Sequence, residues 1–117
     1  MPHFIIECPV SILQKQNPET IMQTVYDTAA ATGLFAVSGA GGIKVRIAPY
    51  EHYITVNKKE DFIHVFAYIM EGRTTEQKQE LSKKIVGALH ALLPWVEVVA
   101  VNISDFEKAT YCNKTML

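Results

Sequence analysis

The residue with the clearest chemical potential is Pro2, which directly follows Met1. An initiating methionine is normally removed when the next residue is small, and its removal would turn the amide nitrogen of Pro2 into a secondary amine. The proline ring restricts φ and so limits how that amine can point. In an apolar pocket its pKa would fall from the ~8 of an ordinary chain terminus towards neutrality, which suits a general base.

Many chains begin with Met-Pro without any chemical consequence, so the residues that follow decide between the two interpretations. Phe4, Ile5 and Ile6 come next and predict a strand that begins at Pro2. Most chain termini fray instead of entering a strand. We therefore interpret Pro2 as a candidate catalytic base.

Three cations are candidates for binding an anionic substrate. Lys44 and Arg46 alternate with apolar residues and project from the same side of a predicted strand. Arg73 follows the end of another predicted strand, where sites collect in open sheets. Cations beside an amine base lower its pKa and could hold a di-anion, and arginine suits a carboxylate. Alternatively, Lys44 and Arg46 are solvent-facing charges that keep an edge strand from aggregating.

The remaining reactive residues show no recognised spacing. The histidines form neither an H-x-x-x-H nor an H-E-x-x-H pattern, and His64 is expected to be a sheet histidine because it alternates with apolar neighbours. Cys8 and Cys112 lack metal or redox spacing and are expected to be reduced. Residues 38–42 are rich in glycine but match no phosphate-binding motif. We expect neither a metal nor a cofactor.

Composition narrows the class of protein. The 117 residues predict one domain, residues 1–117, with a single core. A net charge of −1 argues against nucleic acid or an anionic membrane as the main partner. No apolar run reaches the ~18 residues of a membrane span, and the first residues lack the features of a signal peptide. We expect a cytoplasmic protein.

The first half of the chain predicts a strand, a helix and a second strand. The first strand covers residues 2–8, and residues 14–16 are expected to form a loop. Asn17, followed by proline, is an N-cap that starts a helix, and Gly33 ends it. The alternating residues 43–47 predict a half-buried strand, which the next proline ends or confines to a sheet edge.

The second half repeats this order after a turn region at residues 50–61, in which residues 53–56 form either a short strand or an arm. Residues 62–70 are apolar on both faces and predict a central strand. A capping box formed by Thr74 and Gln77 opens the second helix.

The last strand is expected at residues 95–103, with Val96, Val98 and Ala100 on one face. The tail after Ser104 receives no assignment.

These elements predict an α+β fold built from two β-α-β units, about residues 2–50 and 62–105. Parallel pairing within each unit gives a four-stranded mixed sheet with two helices on one face. The other face carries apolar residues and would remain exposed in a monomer. A symmetric homo-oligomer that buries it is the expected solution.

Several segments resemble the 5-carboxymethyl-2-hydroxymuconate Δ-isomerase family of the 4-oxalocrotonate tautomerase superfamily, to which macrophage migration inhibitory factor is more distantly related. The opening heptapeptide PHFIIEC is the most specific of them. The others are AATG with Phe35 after it, GGIKVR and the Gly-Arg pair before the second helix. The resemblance covers residues 2 to 105.

The resemblance implies a tautomerase-like homotrimer in which Pro2 acts as general base and acid, without a cofactor, on a small anionic enol or keto acid. It implies that Arg73 binds a carboxylate. Arg46 matches a second arginine that the family carries on the same strand as the residue matched by Lys44. Lys44 stands where the muconate isomerases are expected to carry arginine. Lysine keeps the charge but loses the bidentate fork, so this difference affects the expected substrate more than the reaction.

We therefore predict an isomerase of small unsaturated 2-hydroxy or 2-oxo acids. Two other interpretations remain open: a non-catalytic binding or signalling protein of the same fold, and a ferredoxin-like ligand-binding regulatory domain, which shares the β-α-β-β-α-β order.

Overall fold

The computed structural model describes residues 1–39 and 41–117, and the predicted order of the main elements is confirmed. The elements are β1 (His3–Pro9), α1 (Val10–Lys15), α2 (Pro18–Ala31), β2 (Lys44–Tyr50), β3 (Phe62–Met70), α3 (Thr75–Leu92) and β4 (Val98–Phe106), followed by the 3₁₀ turns Lys108–Thr110 and Lys114–Met116. None of the helices in these described ranges is long and apolar enough to cross a membrane.

The four strands form one mixed sheet in the order β2-β1-β3-β4. The pairs β1–β2 and β3–β4 are parallel, as predicted, while β1 and β3 are antiparallel. In the split arrangement of a ferredoxin-like domain another strand lies between the two parallel strands of a unit. Here β1 pairs directly with β2, so the ferredoxin-like interpretation is wrong.

Both long helices begin where the capping signals predicted. The side chain of Asn17 accepts a hydrogen bond from the amide of Glu19 at 2.8 Å, and the helix stops before Gly33, whose φ of +72° suits glycine. At α3 the capping box is complete, since Thr74 and Gln77 each bond the other's backbone amide, at 3.1 and 2.8 Å.

The helices cover one face of the sheet and form the core with it. Alternate residues of β1 and β3 point to this face and are buried, among them Phe4, Ile6, Val65 and Ile69. They pack against the buried stripes of α2 and α3, which are Ile21, Val25, Ala29, Leu81, Ile85 and Leu89.

The sheet face opposite the helices, here called the open face, carries the intervening residues of each strand. It includes apolar side chains that are about two-fifths exposed: Tyr50 at 39%, Tyr68 at 41% and Val98 at 43%. In the described part of the chain no helix covers this face, as the sequence predicted.

One local prediction is wrong before the first long helix. The loop expected at residues 14–16 overlaps the end of the short helix α1 (Val10–Lys15), which buries Ile12. This helix is fastened to the residue before β3, because Asp61 accepts hydrogen bonds from the Ser11 hydroxyl and, at 3.1 Å, from the Lys15 ammonium. The described residues therefore form three α-helices.

Residues 53–56, expected to form either a short strand or an arm, form no strand, and Thr55 and Lys58 exchange backbone hydrogen bonds of 2.9 Å across a tight turn. The bounds of the last strand differ from the prediction. The last strand begins at Val98, three residues later than predicted. Val96 precedes it and is buried, whereas Val98 lies on the open face, so these two valines do not share a face.

Candidate active site

The candidate site lies at one end of the sheet, where β1 and β2 begin and β3 ends. The antiparallel pairing of β1 with β3 sets His3 beside Tyr68, and the parallel pairing with β2 sets His3 beside Lys44. The backbone amide of Lys44 donates to the carbonyl oxygen of Pro2 at 3.1 Å. The buried Pro2 is therefore bonded to the start of β2 and is not a frayed terminus.

The electrostatic surroundings of the amino terminus link it to two of the predicted cations. The terminal amine, here on Met1, has a pKa below its usual value of 8.0. Partial burial is the largest cause, and the charges of Arg73 and Lys44 add to it in that order. Each cause disfavours the ammonium form. The structure thus brings the amino terminus, Arg73 and Lys44 together.

The Arg73 side chain is fixed by contacts on three sides. Nη1 donates to the carbonyl oxygen of Met70 at 3.2 Å, and Nη2 donates to that of Leu34 at 2.6 Å. The guanidinium lies 5.1 Å from the centre of the Phe35 ring, which packs edge-on against Phe4. Guanidinium has five N–H donors, so three remain for an anion after these two bonds.

The Lys44 ammonium lies between the chain start and the loop before β2. Its Nζ donates to the carbonyl oxygen of Gly42 at 3.1 Å and contacts the Met1 sulfur at 3.3 Å. The thioether is a weak acceptor. Removal of Met1 would therefore free the ammonium for a stronger partner.

Arg46 occupies a different place from the other two cations. It lies on the exposed edge strand β2, and its Nη1 is 3.1 Å from Nδ1 of His3. It is not among the groups that lower the pKa of the terminal amine. Sequence reasoning assigned no role to His3 or Phe35, although both lie within the segments that carry the family resemblance.

The positive charge of this region is not neutralised within the described residues. The ion pairs there join Lys15 to Asp61 and Lys78 to Asp105, each at 3.1 Å. Lys44, Arg46 and Arg73 take part in neither of them. A cluster of unpaired cations beside an amine attracts anionic ligands.

A single chain does not enclose this site. An open cleft of about 420 Å³ lies beside Arg73, between Gly33 and Gln77, but Pro2 is not part of its lining. The other side of the amino terminus continues onto the exposed open face.

Comparison with known proteins identifies relatives along nearly the whole chain. The family model of 5-carboxymethyl-2-hydroxymuconate isomerase matches residues 2–104. The 5-carboxymethyl-2-hydroxymuconate Delta-isomerase of Escherichia coli is 29% identical over 87 residues, which are 73% of this chain and 67% of the relative.

Solved structures share the fold at lower identity. A 5-carboxymethyl-2-hydroxymuconate isomerase from Deinococcus radiodurans R1 superposes with a TM-score of 0.78 at 22% identity, covering 97% of this chain and 88% of that one. A fused 4-OT wild type symmetric trimer superposes with a TM-score of 0.72 at 16% identity, covering 97% and 94%. These matches confirm the predicted tautomerase-like fold.

The match over residues 2–104 also confirms the predicted enzyme class, and this chain belongs to the 5-carboxymethyl-2-hydroxymuconate isomerase family.

Proposed function

We propose that this chain is a cofactor-independent isomerase of small unsaturated 2-hydroxy and 2-oxo carboxylic acids, with Pro2 as general base and acid after removal of Met1. The observation that carries the proposal is the lowered pKa of the terminal amine, which burial, Arg73 and Lys44 cause together. The Pro2 nitrogen lies one residue further along the chain, directly before β1, and would share these surroundings. A lowered pKa raises the unprotonated fraction of an amine at a given pH, which suits it to proton transfer.

The proposed reaction moves one proton along a conjugated system. The free amine of Pro2 takes a proton from the substrate, negative charge develops on the substrate oxygen, and the resulting ammonium returns a proton at another carbon. No oxidation occurs and no group is lost. Lys44 and the free donors of Arg73 would hold a carboxylate and stabilise the developing charge.

The number of cations supports a substrate with two carboxylates. Arg73 and Lys44 flank the amino terminus, and Arg46 lies on the neighbouring surface. A dicarboxylate of the muconate type would use the charges of all three. A monocarboxylate such as phenylpyruvate would use fewer of them.

Lys44→Arg tests this assignment. If a muconate dicarboxylate is the substrate, we expect kcat/KM to be unchanged or higher, because arginine keeps the charge and adds a bidentate fork. Steady-state kinetics on 2-hydroxymuconate would measure the change. A large loss would mean that Lys44 has a role that arginine cannot fill, such as its short contact with the Gly42 carbonyl.

We also propose that the active form is a homotrimer. The apolar open face, the incomplete enclosure of Pro2 and the trimeric state described for a solved structure of the same fold support this assembly. Light scattering at micromolar concentration is expected to give three times the chain mass of 13.1 kDa. A monomer at that concentration would contradict the proposal.

The non-catalytic alternative depends on whether the mature protein keeps Met1. While Met1 is present the Pro2 nitrogen is an amide, and the Met1 sulfur lies against Lys44. A mature protein that keeps Met1 would have no base at this position and would be a binding protein.

Intact-mass measurement and an activity screen, done on the same preparation, separate the two functions. We expect the mass to lack Met1, and we expect ultraviolet absorbance to show turnover of phenylpyruvate, 2-hydroxymuconate or a related enol. A processed chain that turns over none of these enols would overturn the proposed function.

A further inference from the structure

His3 lies between two cations on the open face, next to the proposed base. In the sheet it is level with Lys44 of β2, and its ring also meets Arg46, which is level with Ile5. To reach His3, the Arg46 side chain must lean along the sheet towards the start of β1. The contact therefore directs the guanidinium, which remains exposed, towards the end of the sheet where β1 begins.

The hydrogen bond between His3 and Arg46 determines which nitrogen of the imidazole carries the proton. A guanidinium can only donate hydrogen bonds, so Nδ1 of His3 must accept the bond from Arg46 and carry no proton. The ring proton is then on Nε2. Burial, Arg46, Lys44 and the terminal amine all lower the pKa of His3, which agrees with a neutral ring.

The hydrogen bond to His3 restricts the side-chain conformations of Arg46. An arginine on an exposed edge strand samples many rotamers, and fixing them costs free energy when a ligand binds. A neutral acceptor orients the guanidinium in advance without cancelling its charge, as a carboxylate would. Its remaining donors stay free for an anion.

We infer that His3 is a positioning residue that fixes Arg46 as the receptor for the second carboxylate of the substrate, so that this pair sets the preference for dicarboxylates. The inference deepens the proposed function and rests on it. Arg73 and Lys44 serve the carboxylate nearer to the base, and the His3–Arg46 pair serves the farther one.

Direct binding tests the inference without requiring turnover. Calorimetry on the processed protein would compare adipate, a six-carbon dicarboxylate, with hexanoate, which has one carboxylate. We expect His3→Ala to weaken adipate binding by about 10-fold, the effect of one hydrogen bond to a charged group, and to change hexanoate binding by less than about 2-fold.

The matched variant is His3→Asn, whose side-chain oxygen can accept near the place of Nδ1. It should bind adipate within about 3-fold of the parent protein. Arg46→Ala should weaken adipate binding at least as much as His3→Ala does, and adding His3→Ala to it should have no further effect, because His3 acts through Arg46. Circular dichroism and intact mass would check that each variant is folded and processed.

Three results would overturn the inference: an equal loss for both ligands, a full His3→Ala effect that persists without Arg46, or no recovery with asparagine. The proposed function fails separately. If the parent protein turns over no enol but shows the expected binding pattern, His3 keeps its role and the isomerase mechanism is wrong.

Discussion

Protein that keeps Met1 is expected to have kcat/KM at least ~10²-fold below that of the processed chain, the usual effect of losing a general base. With Met1 attached, the Pro2 nitrogen is a tertiary amide and cannot accept a proton. Material of the same sequence can be made with methionine aminopeptidase inhibited, and intact mass would confirm that Met1 is present. Treatment with the aminopeptidase afterwards should restore activity, which gives the experiment a matched control.

The processed chain should also show a defined pH profile. The base must be unprotonated, so kcat/KM should rise with pH through the pKa of Pro2 and then level off. Burial, Arg73 and Lys44 each disfavour the ammonium form at this terminus. The rise should therefore lie below the ~7.7–8.0 of an ordinary terminal amine.

Pro2→Ala tests whether activity requires the proline ring or only a terminal amine at this position. Alanine is small enough for Met1 to be removed, and it leaves a primary amine in nearly the same place. This variant should retain part of the activity, since a base is still present. Full activity in a preparation that retains Met1 would exclude Pro2 as the base.

Arg73→Ala has the second largest expected effect. Losing one charge-assisted contact costs roughly 1.5–3 kcal/mol, which is about 10- to 150-fold in kcat/KM. KM for an anionic substrate should rise, and kcat should fall as well if the guanidinium stabilises the developing charge. Steady-state kinetics on 2-hydroxymuconate would separate the two.

Arg73→Lys is the control for charge. Lysine keeps the cation but cannot reproduce the paired bonds to the Met70 and Leu34 carbonyls or the free fork. An intermediate loss is expected if both charge and geometry matter. If Arg73→Ala leaves kcat/KM unchanged, and thermal unfolding shows both variants to be folded, Arg73 does not take part in substrate binding or catalysis.

The parts of the fold predictable from sequence were those with local signals. Asn17 and the Thr74–Gln77 box mark helix starts by side-chain chemistry within three residues. Helix α1 had no such signal, because it is six residues long and its cap residue Pro9 makes no side-chain bond. It is instead hydrogen-bonded to the distant Asp61 through Ser11 and Lys15.

The same distinction applies to the candidate site. Pro2 could be proposed from its own chemistry and position. The contact of His3 with Arg46 depends on the register of β1 against β2, which sets side chains 43 positions apart beside each other. No local pattern encodes that register, so the contact of His3 with Arg46 could not be predicted from the sequence.

The antiparallel pairing of β1 with β3 gives the sheet an approximate two-fold axis between its halves, which bears on the number of proline bases that the proposed mechanism would have. Under that rotation the start of β3 takes the place of the start of β1. A chain has one amino terminus, however, and Asp61 at the equivalent position has peptide bonds on both sides. Its carboxylate is occupied by Ser11 and Lys15. If Pro2 is the base as proposed, each chain contributes one such base, and three chains would hold three.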